Sequence, residues 1–438
     1  MKETKKKETL QEKLAKRKYH IPNRFIWWLY YVIMVKFMLR KYHPKVTIKD
    51  DINDCKGPCF LVWNHLSRID HAYVLKAAWP RRVNIVAAWV EFFRSHLAMV
   101  FKLNSILPKK NFTQDIPGVK AMLSIINQGG CVCFSPEGMS SIYGVNQPVV
   151  PGTGRYLKHF AIPVYFLKLS GQYLANTKVN LDQRTSTRVE AEMSLLFSPD
   201  QLKELTAEQI EEKMNEAFRH DDYAWGRENH LKWKTFGRIC DHLSDICYRC
   251  PRCSAEVQMT AEKDYIKCRV CGNGARMNDY YEFEPFDDTC VLPASPSEWV
   301  ADERRQIIKD IRADENYSVS LPVKIGYVPE YHYIKNKQTS ELCGDGTITF
   351  DHKGIHFAGT KLGQPWSFDL SYSVVYSLII ETDMTHFAFY INGEYHDFYP
   401  DEPIVGKLLL LTEEMHRLHY NTWKNFPWNS DMYEDAAL

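Results

Sequence analysis

The apolar run Cys59-Phe60-Leu61-Val62-Trp63 passes without a break into Asn64-His65-Leu66-Ser67-Arg68-Ile69-Asp70. A short, uninterrupted apolar run predicts a strand buried on both faces, of the kind found in the middle of a parallel sheet. Such a strand must be covered on both sides, which commits this part of the chain to an α/β layer fold. His65 then stands at the strand's carboxyl end, where open α/β sheets place their chemistry. A neutral imidazole takes a proton near pH 7, and a carboxylate on its far nitrogen fixes the tautomer and steadies the cation that forms. Asp70 is the carboxylate at hand. On an unbroken helix a separation of five puts the two side chains about 140° apart, so the pair needs a bend. Ser67 is placed to supply it, capping a helix that starts near Arg68. With 16 histidines and 54 acids in 438 residues, chance alone gives about two His-x4-acid pairs. The pair gains its weight from what accompanies it.

From residue 45 to about 235, apolar strand-like runs alternate with helical patterns. Strands are expected at Cys59–Trp63, Val83–Ala87, Gly130–Phe134 and Ile162–Leu167. Helices are expected at Arg68–Trp79, Val90–Leu103, Ile116–Ile126 and Ala207–Phe218. Three points along this stretch stand out. A turn with two adjacent lysines, Lys109-Lys110, follows the second helix. The strand at Cys131-Val132-Cys133-Phe134 runs straight into Ser135-Pro136-Glu137-Gly138, where proline stops the ladder and glycine permits a close backbone approach. Ile162-Pro163-Val164 opens a further strand after the turn Gly152-Thr153-Gly154.

Taken in order, the His-x4-Asp pair, the basic turn, strand-Pro-Glu-Gly and the short proline-containing strand resemble the glycerolipid acyltransferase family, which includes lysophosphatidic acid acyltransferase. The resemblance covers about residues 20 to 225. Asn64, His65 and Asp70 meet the family's first motif, Lys110 takes the basic position of the second, and Pro136-Glu137-Gly138 forms the core of the third. The resemblance implies an O-acyltransferase of phospholipid biosynthesis. His65, oriented by Asp70, would deprotonate an acceptor hydroxyl as it attacks the thioester of acyl-CoA or acyl carrier protein. Asn64, Lys110, Glu137 and Gly138 would bind substrate. Two departures bear on the acceptor. Ser135 stands where the family has an aromatic residue, and Ser140 where it has an arginine that helps hold the acceptor's phosphate. A guanidinium grips phosphate through two parallel hydrogen bonds and serine offers one hydroxyl, a loss of roughly a few kcal/mol. The acceptor is therefore either a glycerol(phospho)lipid or a non-phosphate hydroxyl compound. A catalytically weak membrane-binding scaffold is the reading from another class.

Residues 1-44 form a basic, apolar, membrane-associating segment in this reading. Lysines crowd positions 2 to 18, and Phe25–Leu39 is apolar except for Lys36, with two tryptophans and two tyrosines. The run is short of the ~20 residues a spanning helix needs. A helix at a membrane interface and a buried core helix both fit it. Basic flanks favour an anionic cytoplasmic leaflet, which places the protein on the inner face of the membrane.

Beyond residue 245, Cys250-Pro251-Arg252-Cys253 and Cys268-Arg269-Val270-Cys271 stand fourteen residues apart. This spacing lets Cys250, Cys253, Cys268 and Cys271 close a tetrahedral site for structural Zn2+, as in a zinc ribbon over 245-280. Thiolate ligands require reducing conditions, hence a cytoplasmic location. A final region, 297-425, opens on a charged helix from Asp302 to Ile311. It continues in strands around Thr347–Phe350, Ile355–Phe357, Val374–Ile380 and Phe387–Ile391, with the hairpin turn Asn392-Gly393, and closes on a helix at Val405–Leu418. This pattern resembles a pleckstrin-homology-like or GRAM-like barrel. Without a dense basic loop, a protein partner is at least as suitable a ligand as a phosphoinositide. A net charge of +1 lacks the basic excess of a nucleic-acid binder, so no nucleic acid is expected.

Overall fold

The computed structural model describes residues 7–179, 184, 188–335, 338–381 and 383–420. Residues 2–6 of the basic stretch and 421–425 of the expected C-terminal region lie outside them. The described chain is a mixed α/β structure built on three sheets.

The first sheet has seven strands: β1 (Pro44–Ile48), β2 (Cys59–Trp63), β3 (Val83–Ala88), β4 (Leu107–Lys109), β5 (Cys131–Phe134), β6 (Val164–Ser170) and β7 (Val189–Phe197). Their order is β1-β7-β6-β2-β5-β3-β4. Only β6 and β7 pair antiparallel. β2 is central and buried at every residue, as its continuous apolar run requires. Side chains such as Phe60, Leu61 and Val62, each fully enclosed, stabilise the layer by about 1.5–3 kcal/mol apiece. β2 lies parallel to β5 with Val62 opposite Phe134, and parallel to β6 with Trp63 opposite Leu167. The residues just past these strands therefore converge at one end of the sheet.

Two elements differ from expectation here. The stretch around Thr153, read as a turn, is the helix Thr153–Phe160. The helix expected over Val90–Leu103 is broken: a 3-10 turn covers Trp89–Phe93, Arg94 is extended, and the α-helix begins at Ser95. The cause is pairing. Ile334 N–H donates to Phe93 O at 2.8 Å and Ser95 N–H to Ile334 O at 3.0 Å, so backbone groups a helix would use are spent on the C-terminal region.

The second sheet is small and antiparallel, β11 (Phe283–Pro285), β10 (Gly274–Met277), β9 (Tyr265–Cys268) and β8 (Met259–Glu262) in that order. The third has seven antiparallel strands, β12 (Ser318–Tyr327), β13 (Glu341–Asp351), β14 (Gly354–Lys361), β15 (Gln364–Leu370), β16 (Ile379–Ile380), β17 (Phe387–Ile391) and β18 (Glu394–Pro400), ordered β15-β14-β13-β12-β18-β17-β16. Its outer strands β15 and β16 do not pair with each other among the described residues, so the expected barrel is not closed by hydrogen bonds. The strand expected from Val374 is shorter than its apolar pattern, because Val374 N–H and Val375 N–H both turn back to Ser371 O. The helices Pro296–Ala313 and Val405–Tyr420 pack on one another.

Arg304 joins these two helices. It lies between Glu413 (Nη2–Oε2 2.8 Å) and Glu414 (Nη1–Oε1 2.6 Å), all three side chains at most 3% exposed. Its Nη2 also donates to the Tyr143 hydroxyl of the first layer at 3.3 Å. Breaking a buried pair from one side strands the other charge. Arg304→Met is expected to destabilise the protein by about 3–5 kcal/mol, measured as a lowered urea midpoint; a variant within 1 kcal/mol of wild type, as about one exposed pair is worth, would contradict this.

Candidate active site and metal centre

The parallel register of β2 and β5 carries Val62–Phe134 forward to His65–Glu137. There the His65 N–H donates to Glu137 Oε1 at 3.2 Å. Glu137 Oε2 accepts from Gln147 N–H at 3.0 Å. The His65 carbonyl in turn accepts from Ser141 N–H at 2.7 Å. Both backbone groups of His65 are thus fixed by the loop that follows β5. Gly138 makes this loop possible. Its φ is +80°, and a Cβ there would fall 2.6 Å from the Phe112 ring. Its carbonyl accepts from Asn111 Nδ2 at 2.6 Å. Burial pushes the Glu137 carboxyl well up, against the pull of the two amides.

Asp70 closes the other side. It is the first residue of the helix Asp70–Ala78 and is 1% exposed. Oδ2 accepts from His65 Nδ1 at 2.8 Å, Leu66 N–H at 2.7 Å and Ser67 N–H at 2.9 Å. Oδ1 accepts from the Ser67 hydroxyl at 2.8 Å. The expected helix cap is therefore corrected: the helix starts two residues after Arg68, and Asp70 itself gathers the amides of the bend. Ser67 is buried, donating to Asp70 and accepting from Gln172 Nε2 at 3.0 Å. The Nδ1–Asp70 bond puts the ring proton on Nδ1 and leaves Nε2, which has no partner among the described residues, as the basic nitrogen. The imidazole is 27% exposed.

The remaining expected substrate contacts are engaged within the protein. Asn64 is fully buried. Its Nδ2 donates to Leu169 O at 2.9 Å and its Oδ1 accepts from Leu169 N–H at 2.7 Å, tying β2 to β6 beyond their ladder. Lys110 does not reach His65. Its Nζ donates to Gly393 O at 2.5 Å and lies over the rings of Trp89 and Tyr390. Asn64 and Glu137 hold the His65 loop in place, and Lys110 docks the C-terminal sheet. Ser141, Gln147 and Gln172 were not picked out by spacing. No motif marks them, since each works through a backbone contact or a neighbour distant in sequence.

A charged group surrounds this loop. Arg94 is ion-paired with Glu91 at 3.1 Å and with Glu381, from the C-terminal region, at 3.5 Å. Burial raises Glu91 to about 6 and lowers Lys178 to about 8, with Arg68 of the His65 loop acting on both.

The cysteine centre lies apart. The Sγ atoms of Cys250, Cys253, Cys268 and Cys271 all fall within 4.8 Å of one another. Cys250 and Cys271 are 3.6 Å apart, Cys253 and Cys268 3.7 Å. Four thiolates at the 2.3 Å zinc–sulfur distance stand about 3.8 Å apart on a tetrahedron, and the spacings match it. The knuckles have the same form: Ser254 N–H donates to Cys250 O, and Gly272 N–H to Cys268 O. Cys247 is not part of the group. The four cysteines can hold a metal such as zinc, and four protein thiolates would fill its shell, cross-linking the knuckles.

Neither a family profile nor a curated protein matches this chain. Among solved structures, the chain is similar to the 1-acyl-sn-glycerophosphate (LPA) acyltransferase PlsC from Thermotoga maritima. The identity is 13% and the TM-score 0.36, over 45% of this chain and 79% of that one.

Asp70→Ala leaves two amides and the Ser67 hydroxyl proton without an acceptor in the interior, and is expected to cost about 3–5 kcal/mol, read by denaturant titration; His65→Ala, at a partly exposed ring, should cost less than Asp70→Ala. Purified protein is expected to contain about one zinc per chain, and Cys250→Ser to abolish it by elemental analysis.

Proposed function

We propose that this protein is an O-acyltransferase that moves a fatty acyl group from an acyl thioester, of CoA or acyl carrier protein, to a hydroxyl of a glycerol(phospho)lipid-type acceptor. The observation that carries the reading is the His65 Nδ1–Asp70 Oδ2 bond of 2.8 Å, with Nε2 left unpartnered. The ordered motifs of the sequence support it. His65 Nε2 takes the proton as the acceptor oxygen attacks the thioester carbonyl. The tetrahedral adduct then expels the thiolate, which recovers the proton from the imidazolium. Asp70 stabilises that cation in between. The chain needs no covalent nucleophile for this, and the Ser67 hydroxyl is already committed to Asp70.

A second reading, a neutral acceptor, is favoured by two observations. Ser140 is only 7% exposed, and Lys110 is turned to Gly393. Arg155, on the helix Thr153–Phe160, acts on Glu208 and Glu211 of a neighbouring helix. The protein would work at the inner face of a membrane, with the segment Arg24–Tyr42 lying in the interface. No described helix is long and apolar enough to cross a membrane. The C-terminal sheet would serve as a docking module for a protein partner.

The test is incubation of the full chain with labelled acyl-CoA, or acyl carrier protein, and a lipid extract. His65→Ala is expected to reduce transfer by about 10²–10⁴ while keeping the wild-type circular dichroism spectrum. Equal transfer by the two proteins would reject the mechanism. A phosphate-bearing product would decide between the two acceptors.

A further inference from the structure

The segment from Arg24 to Tyr42 turns one face inward, burying Trp27, Met34, Val35, Leu39 and Tyr42. Its other face carries Phe25, Leu29, Ile33 and Phe37, exposed by 64, 40, 46 and 74%. In an α-helix a stripe at every fourth residue drifts by about 40° per step. Here the helix Arg24–Tyr31 continues as a π-helix over Val32–Met38, whose wider turn offsets that drift. The stripe therefore stays on one side through Phe37.

Beside its end lies an open cavity of about 620 Å³, walled by Tyr31, Val35 and Phe37 and by three cations, Lys36, Arg40 and Lys76. Lys36 and Arg40 come from the segment itself, and Lys76 from the helix that begins at Asp70. None of the three has a carboxylate partner among the described residues. Burial, and then Lys36, lowers the Lys76 pKa, so an unanswered positive charge is held at a partly apolar wall.

We propose that this cavity binds the phosphate of an anionic phospholipid in a bilayer, with the lipid's acyl chains lying along the Phe25-Leu29-Ile33-Phe37 stripe. The inference deepens the membrane-interface reading above and rests on it. Three converging cations complement a phosphate, and the adjoining exposed apolar stripe complements acyl chains, which free phosphate lacks.

The test is co-sedimentation of the full chain with phosphatidylcholine vesicles, with and without phosphatidic acid, in the absence of any acyl donor. Each cation near an anionic surface contributes about a fivefold gain. Lys76→Gln is thus expected to weaken partition onto phosphatidic acid vesicles about fivefold, and the triple variant K36Q/R40Q/K76Q about 10²-fold. Lys203→Gln, away from the segment and paired with Asp200, should change it less than about twofold, and circular dichroism should match wild type throughout. Equal losses for Lys203→Gln and Lys76→Gln, or no preference for phosphatidic acid, would overturn the proposal. Release from vesicles by inorganic phosphate at matched ionic strength would overturn the lipid as ligand. Because no donor is present, the result is independent of turnover: selective binding without acyl transfer would reject the proposed function alone, and transfer by a protein indifferent to Lys76→Gln would reject this site alone.

Discussion

A buried carboxylate that accepts four hydrogen bonds holds the end of β2 in its working shape. An ionised group at the 1% exposure of Asp70 is tolerated only when hydrogen bonds replace its lost hydration. Here two amides, a hydroxyl and an imidazole do so. The three contacts other than His65 fold residues 66 and 67 back over the helix start, and this return brings a side chain five residues upstream into reach. The bend that the spacing demands and the partner of the imidazole are thus one group. On the opposite side, Glu137 and Ser141 take the two backbone groups of His65, so His65 is held from two segments, the helix start after β2 and the loop after β5. Their adjacency follows from the parallel register of β2 and β5.

The C-terminal sheet is tied to this layer at the elements that flank the site. Lys110 reaches the β17–β18 turn, Phe112 packs edge-on to Tyr376, Trp89 to Tyr390, and Arg94 pairs with Glu381. Glu381 continues into a buried network: the Tyr395 hydroxyl bonds to Glu381 and Asp397, and the Thr339 hydroxyl links Asp397 with His386. Burial raises the Asp397 carboxyl. Polar networks of this kind are costly when incomplete and specify one arrangement when satisfied. The C-terminal sheet is therefore placed in a defined pose on the basic turn.

Much of the first layer could be read in the chain because its signals are local. β2 and β17 and the helices Ile116–Ile126 and Ala207–Phe218 have the bounds their apolar patterns predict. The cysteine spacing likewise led to four sulfurs within mutual reach. What could not be read depends on partners far along the chain. Lys110 looks like an anion contact until its partner, 283 residues away, is known. Helix periodicity runs through Arg94, and only pairing with Ile334 breaks it. β7 had a local signal, the alternation Val189-Glu190-Ala191-Glu192-Met193 buried at every second residue, but its place between β1 and β6 comes from topology alone. For Phe25–Leu39 the buried-helix reading describes one face only, and the other face is exposed.

That division has a consequence for the dyad. The inward face of the 24–42 segment packs on the helix whose first residue is Asp70: Tyr30 stacks on His71 at 6.4 Å between ring centroids, and Tyr31 lies 4.1 Å from Trp79 just past the helix end. Lys76, on the same helix, lines the cationic cavity. A helix is stiff along its axis, and close-packed interiors have low compressibility and transmit strain. The surface carrying the exposed stripe and the carboxylate orienting His65 are therefore fixed relative to each other by one short rigid element. Any anionic surface engaging Lys76 would present its plane at a set distance and angle to the imidazole, whatever the acceptor.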